Sequence, residues 1–144
     1  ALAALAPSAK EMAGLPPRHT PDLKYARTCY DHLAGRMAVE ICAALKDKGY
    51  LMPVDAEFEV TGKGEKLFSD LGIEIGELRQ QRRAFARQCH DCSERRPHIA
   101  GALGAALLER MFQLGWIARV RSSRVVRVTA KGREDVYKLL KLTL

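Results

Sequence analysis

The sequence contains an internal repeat, and this repeat limits the possible folds more than any other feature. Residues His32–Gly35 read His-Leu-Ala-Gly, and His98–Gly101 read His-Ile-Ala-Gly. A Cys-x-Asp motif stands before each of them, at Cys29 and at Cys89. Further matches follow at a spacing of 66 residues, which becomes 68 for the last of them. They are the apolar sets Leu33/Met37/Ile41/Leu45 and Ile99/Leu103/Leu107/Met111, the triplets that begin at Gly49 and Gly115, and the pentapeptides Val60–Gly64 and Val128–Gly132. We interpret the two copies as a duplication.

Each copy predicts a helix, a glycine stop, a two-stranded hairpin and a second helix capped by threonine. Apolar residues four positions apart are typical of one face of a helix, which predicts helices over 33–48 and 99–114. The residues 50–60 and 116–128 predict hairpins, and Thr61 and Thr129 are N-cap residues. A helix followed by a hairpin is winged-helix geometry, and one hairpin alone is marginally stable. We therefore expect an α+β, mostly helical fold with two tandem winged-helix-like repeats packed about a pseudo-twofold.

The segments around the repeats give weaker signals. Residues 1–13 resemble a helix end, and Pro16-Pro17 predicts an extended linker before Thr20. Thr20-Pro21 indicates the start of a short helix that runs to about Tyr30. A helix is predicted over 74–83, and a loop from Cys89 to Pro97.

The Cys-x-Asp and His motifs supply candidate metal ligands. Thiolate and imidazole groups suit zinc or a softer heavy-metal ion, and a pseudo-twofold could bring Cys29 and Cys89 to a shared seam. The candidate ligands are Cys29, His32, Cys89, Asp91, Cys92 and His98. An alternative stays open, in which the cysteines are small buried residues, the aspartates cap helices and the histidines bond the backbone. The six residues Cys92–Pro97 are an insertion in the second copy.

Basic charge is concentrated in one part of the chain. The net charge is +7 overall, but residues 79–133 hold 13 Lys and Arg against 3 Asp and Glu. Such an excess indicates a polyanionic partner, or else a solvated basic face. The candidate nucleic-acid or anion contacts are Arg79, Arg82, Arg83, Arg95, Arg96, Arg121 and Arg124. The apolar helix before the second hairpin has almost no side chains able to read base edges, so we expect backbone contacts at most.

Two functional classes are not expected. The sequence has no glycine-rich phosphate loop, nucleophile elbow or paired-carboxylate constellation, so we predict that the protein is not an enzyme. No apolar run approaches the roughly 18 residues that a membrane span needs, so we expect no membrane partner.

Long motifs of the sequence resemble a long-chain subgroup of ArsR-type transcriptional regulators. The residues that carry the resemblance are Ala26–Gly35, Cys89–Gly104 and Gly115-Trp-Ile, within a match over about residues 20–142. One departure is Cys92, which stands where the pattern has an aromatic residue. The resemblance implies a winged helix-turn-helix DNA-binding domain ahead of this region. Residues 1–19 would then be its tail and a linker, 20–78 the first repeat and 79–144 the second.

The resemblance also implies a function. It indicates a cytoplasmic repressor or sensor, with DNA bound by the full-length protein as a homodimer. We expect this chain to be its ligand- or metal-sensing and dimerising C-terminal region, with zinc or a softer heavy-metal ion as effector. The alternative is a duplicated winged-helix module that binds nucleic acid or protein partners and senses nothing.

Overall fold

The computed structural model describes residues 20–144, so the helix end and linker expected over 1–19 lie outside the described residues. The described chain is a mixed α/β fold with antiparallel sheets. Its helices are α1 (Pro21–Tyr25), α2 (Arg36–Asp47), α3 (Gly62–Asp70), α4 (Ile75–Arg79), α5 (Gly101–Gln113) and α6 (Ala130–Leu140). Its strands are β1 (Arg27–Cys29), β2 (His32–Ala34), β3 (Leu51–Val54), β4 (Glu57–Val60), β5 (Arg87–His90), β6 (Pro97–Ala100), β7 (Ile117–Arg119) and β8 (Val126–Val128).

The order of elements is the same in the two halves of the chain. Each half runs helix, hairpin, helix, hairpin, helix, from α1 to α3 and then from α4 to α6. The hairpins are β1–β2 and β3–β4 in the first half, and β5–β6 and β7–β8 in the second. The identification of the halves as winged-helix units stays a prediction.

The halves are joined through reciprocal strand contacts. The first hairpin of each half forms backbone hydrogen bonds with the second hairpin of the other half. On one side these bonds are Phe58 N to Ala86 O (2.8 Å) and Gln88 N to Ala56 O (2.9 Å), and on the other Val126 N to Ala26 O (3.1 Å) and Thr28 N to Arg124 O (2.9 Å). The same bonds therefore occur twice with the halves exchanged, and the two first hairpins also contact each other through β2 and β6.

The predicted apolar faces of the long helices are buried. Met37, Ile41 and Leu45 of α2 belong to one continuous core with Leu103 and Met111 of α5. The predicted threonine caps are also present. Thr61 Oγ1 accepts a hydrogen bond from Gly64 N, and Thr129 Oγ1 accepts one from Gly132 N, both at 3.0 Å.

Five element predictions were wrong. The short helix ends at Tyr25 instead of Tyr30, and the helix expected over 74–83 covers only Ile75–Arg79. The expected loop Cys89–Pro97 contains the paired ends of β5 and β6. Both long helices begin later than predicted, because the residues before them are strands.

The two glycines of the His-x-Ala-Gly motifs explain those late helix starts. Gly35 has φ +95° and Gly101 has φ +76°, which is backbone that side-chain-bearing residues rarely adopt. A Cβ atom at either position would lie 2.7 Å from a carbonyl oxygen, that of Tyr25 or of Ala84. Each glycine therefore turns the chain sharply from a strand into a helix.

Candidate metal centre

Two cysteines and two histidines from the first hairpins of the two halves meet in one cluster. Cys29 and His32 are register partners in β1–β2, and Cys89 and His98 are register partners in β5–β6. Residues directly opposite each other in an antiparallel pair place their side chains on the same face. The ligand atoms of all four residues lie within 4.8 Å of one another. The cluster thus takes one cysteine and one histidine from each half.

The two imidazoles face each other through their Nε2 atoms. These atoms are 3.0 Å apart, so in the metal-free protein one Nε2 carries a proton and donates a hydrogen bond to the other. The opposite ring nitrogens face carboxylates. His98 Nδ1 lies 3.1 Å from Asp91 Oδ1, at an angle too oblique for a well-formed hydrogen bond, and His32 Nδ1 lies 3.5 Å from Asp31 Oδ1. A carboxylate behind an imidazole favours the Nδ1-protonated form, which leaves Nε2 free to bind a metal.

The environment keeps both histidines neutral. Burial, followed by the neighbouring His32, lowers the pKa of His98 to about 4 against the opposing effect of the Asp91 charge. Burial also lowers the pKa of His32, against the opposing effect of Asp31. A neutral imidazole is the form that binds metal ions.

Asp91 organises the residues behind His98. Its Oδ1 accepts hydrogen bonds from Gly35 N (2.7 Å) and Arg27 Nη2 (3.3 Å), and its Oδ2 accepts from Ser93 Oγ (2.6 Å), Ser93 N (3.0 Å) and Glu94 N (2.9 Å). Burial alone would raise the pKa of this carboxyl. The hydrogen bonds and the Arg27 charge outweigh burial and hold the pKa far below its ordinary value. Asp91 is therefore a buried carboxylate with every oxygen bonded.

The equivalent carboxylate of the first half is arranged differently. Asp31 keeps 45 % of its side chain exposed and accepts a hydrogen bond from Arg83 Nη1 at 2.6 Å. The inserted Cys92–Pro97 segment accounts for the difference, because its Ser93 and Glu94 cover Asp91 and nothing equivalent covers Asp31. Asp31 faces an open cavity of about 630 Å³ that Arg83, Arg87 and Gly101 also line.

The sulfur atoms differ in their surroundings. Cys29 and Cys89 are half-buried, and burial followed by the neighbouring Cys29 raises the pKa of the Cys89 thiol. Cys92 is exposed and stands outside the cluster, where its Sγ accepts a hydrogen bond from Arg27 Nη2 at 3.2 Å. Cys42 is buried in α2, where burial raises its pKa to about 12.

The chain is similar to a known bacterial protein. It is 49 % identical over 129 residues to a protein of Bacillus subtilis (strain 168) named "Uncharacterized HTH-type transcriptional regulator YdfF". The match takes in 90 % of this chain but spans only 57 % of the length of that relative. No family model matches the chain, and no solved structure matches it. Among residues 20–144, no helix has the length and apolar character to span a bilayer.

Four of the six predicted ligands therefore lie in one cluster. The other two lie outside the cluster. Asp91 faces the Nδ1 side of the His98 ring, and the Cys92 sulfur contacts Arg27. Arg27 was missing from the predicted site, although it is buried and paired with Asp91. The matched segments Tyr25-Ala-Arg-x-Cys-x-Asp and Phe85-Ala-Arg-x-Cys-x-Asp could have revealed it, because an arginine precedes the cysteine by two residues in both.

The predicted basic contacts fall into two groups. Three of them have protein partners: Arg79 pairs with Glu65 at 2.6 Å, Arg83 with Asp31 at 2.6 Å, and Arg124 Nη1 donates to Thr28 O at 3.4 Å. The other four are exposed, and their side chains form no hydrogen bond or ion pair with the described part of the chain. These four are Arg82, Arg95, Arg96 and Arg121.

Proposed function

We propose that this chain is the regulatory region of a DNA-binding transcriptional regulator and that it senses a metal ion. Cys29, His32, Cys89 and His98 would hold the ion, which we expect to be zinc or a softer heavy-metal ion. The observation that carries this proposal is the meeting of two thiols and two imidazoles from equivalent hairpins within 4.8 Å.

The ligand types and their spacing fit such an ion. Two cysteines and two histidines are a common tetrahedral zinc set, with bonds of about 2.3 Å to sulfur and about 2.0 Å to nitrogen. Ligand atoms on one such ion are separated by no more than about 4 Å, so small side-chain rotations from the observed 4.8 Å limit are sufficient. A soft thiolate pair also suits cadmium and related ions.

The regulatory role rests on likeness to known proteins. The Bacillus relative is named as an HTH-type transcriptional regulator, which is not an enzyme, and the motifs resemble ArsR-type regulators. In this proposal, a winged helix-turn-helix domain outside these residues reads DNA, and the full-length protein works as a cytoplasmic homodimer. The region between residues 20 and 144 would consist of two winged-helix-like repeats derived by duplication.

The residues around the cluster connect the proposed ion site to the start of α2. Metal binding would fix His32 and His98 in their Nδ1-protonated forms, which turns the His98 N–H towards Asp91. Asp91 in turn bonds Gly35 N at the start of α2, so a change at the ligands acts directly on a long core helix. Because the four ligands come from both halves, the ion would also hold the halves together.

Titration of the reduced, metal-free protein with Zn²⁺ and Cd²⁺ tests the proposal. We expect about one ion per chain, and a thiolate-to-metal absorption band with Cd²⁺. Cys29→Ser and Cys89→Ser should each weaken binding by 10-fold or more, because a ligand is lost. Cys92→Ser is the matched control, since its sulfur stands outside the cluster. A protein that binds no ion, or a Cys92→Ser loss as large as that of Cys29→Ser, would contradict the proposed site.

The second candidate is a winged-helix module without a sensing role. It is favoured by the four exposed, unpaired arginines, which could contact phosphates. Measuring DNA affinity of the full-length protein with and without Zn²⁺ separates the two. An unchanged affinity favours the module, and a changed affinity favours the sensor.

A further inference from the structure

We propose that Cys29 and Cys89 are also an oxidisable pair, which a hydroperoxide converts into a disulfide between the two halves of the chain. This modification is distinct from metal binding, and it needs only the metal-free protein.

The position of the two sulfur atoms carries this inference. They lie within 4.8 Å of each other, on equivalent strands of two hairpins that contact each other through β2 and β6. A disulfide needs an S–S distance of about 2.05 Å and Cβ atoms about 3.5–4.5 Å apart. Rotation about the Cα–Cβ bonds brings the two sulfurs together, and the two strands supply any further approach that the Cβ atoms need.

Exposure and position together favour this pair among the four cysteines. Cys29 and Cys89 are half-buried, so a molecule as small as hydrogen peroxide can reach them. Cys42 is 2 % exposed and lies in a core helix. Cys92 is exposed, but its Sγ contacts Arg27 Nη2 and lies outside the cluster in which Cys29 and Cys89 meet.

One hydroperoxide molecule oxidises the two thiols to one disulfide. One thiolate sulfur attacks the peroxide, the O–O bond breaks, and a sulfenic acid and one water (or alcohol) form with the thiol proton. The second sulfur then attacks the sulfenic sulfur, the S–O bond breaks, and the S–S bond forms. A second water leaves with the remaining thiol proton. The two sulfurs give up two electrons, which reduce the peroxide.

The disulfide would exclude the metal ion from the cluster, a consequence that rests on the proposed metal-sensing function. Oxidation removes both thiolates and leaves only His32 and His98, which do not form a closed site. A bound ion, conversely, would occupy both sulfurs and protect them. The same four residues would then respond to metal supply and to peroxide.

Peptide mapping of the oxidised protein tests the pairing. The metal-free chain is treated with hydrogen peroxide, its thiols are blocked, and it is digested with trypsin without reduction. We expect the mass of the intact protein to fall by about 2 Da, because two hydrogens are lost. We also expect a cross-link between the Cys29 peptide, residues 28–36, and the Cys89 peptide, residues 88–95. The cross-link should persist in Cys92→Ser and disappear on reduction.

Two results would overturn the inference. One is the absence of the cross-linked peptide, and the other is a mass loss confined within the 88–95 peptide, which would mean that Cys89 pairs with Cys92. These results are independent of zinc titration: cross-linking without zinc binding contradicts only the metal proposal, and zinc binding without cross-linking contradicts only the disulfide. Zn²⁺ added before the peroxide should slow cross-linking at least 10-fold.

Discussion

Asp91 accepts a hydrogen bond at 2.7 Å from the backbone amide of Gly35, at the start of a helix in the other half of the chain. Gly35 is the N-cap residue of α2 and has no side chain, and the Asp91 carboxylate accepts from the amide of this residue, near the positive end of the helix dipole. The same oxygen accepts from buried Arg27 and faces the His98 ring. One carboxylate therefore joins a helix start, a buried arginine and a candidate metal ligand.

Asp91→Asn should destabilise the protein strongly. The substitution keeps the shape of the side chain but leaves Arg27 buried without a counter-charge, which costs about 3–5 kcal/mol in comparable pairs. Urea unfolding of the metal-free protein measures the loss. Asp31→Asn is the matched control, because its partner Arg83 is exposed and such pairs contribute about 1 kcal/mol or less. Equal losses in the two variants would contradict the role of Asp91.

Gly101→Ala should destabilise the protein by about 1–3 kcal/mol or more, because alanine is strained at positive φ. Its Cβ would also stand 2.7 Å from the Ala84 carbonyl oxygen. Gly76→Ala in α4 is the control, since nothing lies within 4 Å of its Cβ position and alanine favours helices. Thermal unfolding should show a lower midpoint for the first variant only. An unchanged midpoint for Gly101→Ala would mean that the strand-to-helix turn does not need glycine.

The stability of the metal-free protein should fall as the pH falls from about 6.5 to 4. Histidine in the unfolded chain has a pKa near 6.5, and in the folded chain the pKa of His98 is about 4. Between these values the unfolded state binds more protons, so protonation favours unfolding. The free energy of unfolding is therefore highest above pH 6.5, and protonation linked to His98 lowers it by roughly 3 kcal/mol by pH 4.

Urea unfolding in the presence of a chelator, repeated at several pH values, measures this dependence. His98→Gln keeps a polar side chain of similar length and does not titrate in this range, so its stability should depend on pH less steeply than that of the wild type. A wild-type stability that stays constant between pH 6.5 and 4 would show that the two histidines do not keep their neutral pair at the centre of the fold.

The parts of the fold that were predicted from the sequence depend on neighbours along the chain. The apolar faces of α2 and α5 follow helical spacing, and Thr61 and Thr129 cap the helices that begin next to them. The strands β1 and β5 pair with the next strand along the chain, but they are only three and four residues long, and part of their backbone bonding goes to distant segments: Thr28 bonds Arg124, and Gln88 bonds Ala56. Local sequence cannot show that such a partner exists.

The candidate site was predicted in part for a related reason. The duplication indicated that Cys29 and Cys89 would approach each other, and residue chemistry pointed to His32 and His98. Spacing could not show that the Cys92 side chain leaves the cluster for Arg27. That orientation depends on how the inserted segment folds over Asp91, which is set by contacts with the other half.

Binding of one Zn²⁺ ion per chain at pH 7 should release about two protons. Cysteine is mostly protonated at this pH, and burial raises the pKa of Cys89 further, so both thiols lose a proton on binding. The histidines release none. They are already neutral, and the one Nε2 proton between them moves to a ring nitrogen that faces a carboxylate. A pH indicator in weakly buffered solution counts the protons, with Cys92→Ser expected to release two and Cys29→Ser about one. Release of no protons would show that the thiols do not bind the ion, and release of three would show that the histidine pair starts out charged.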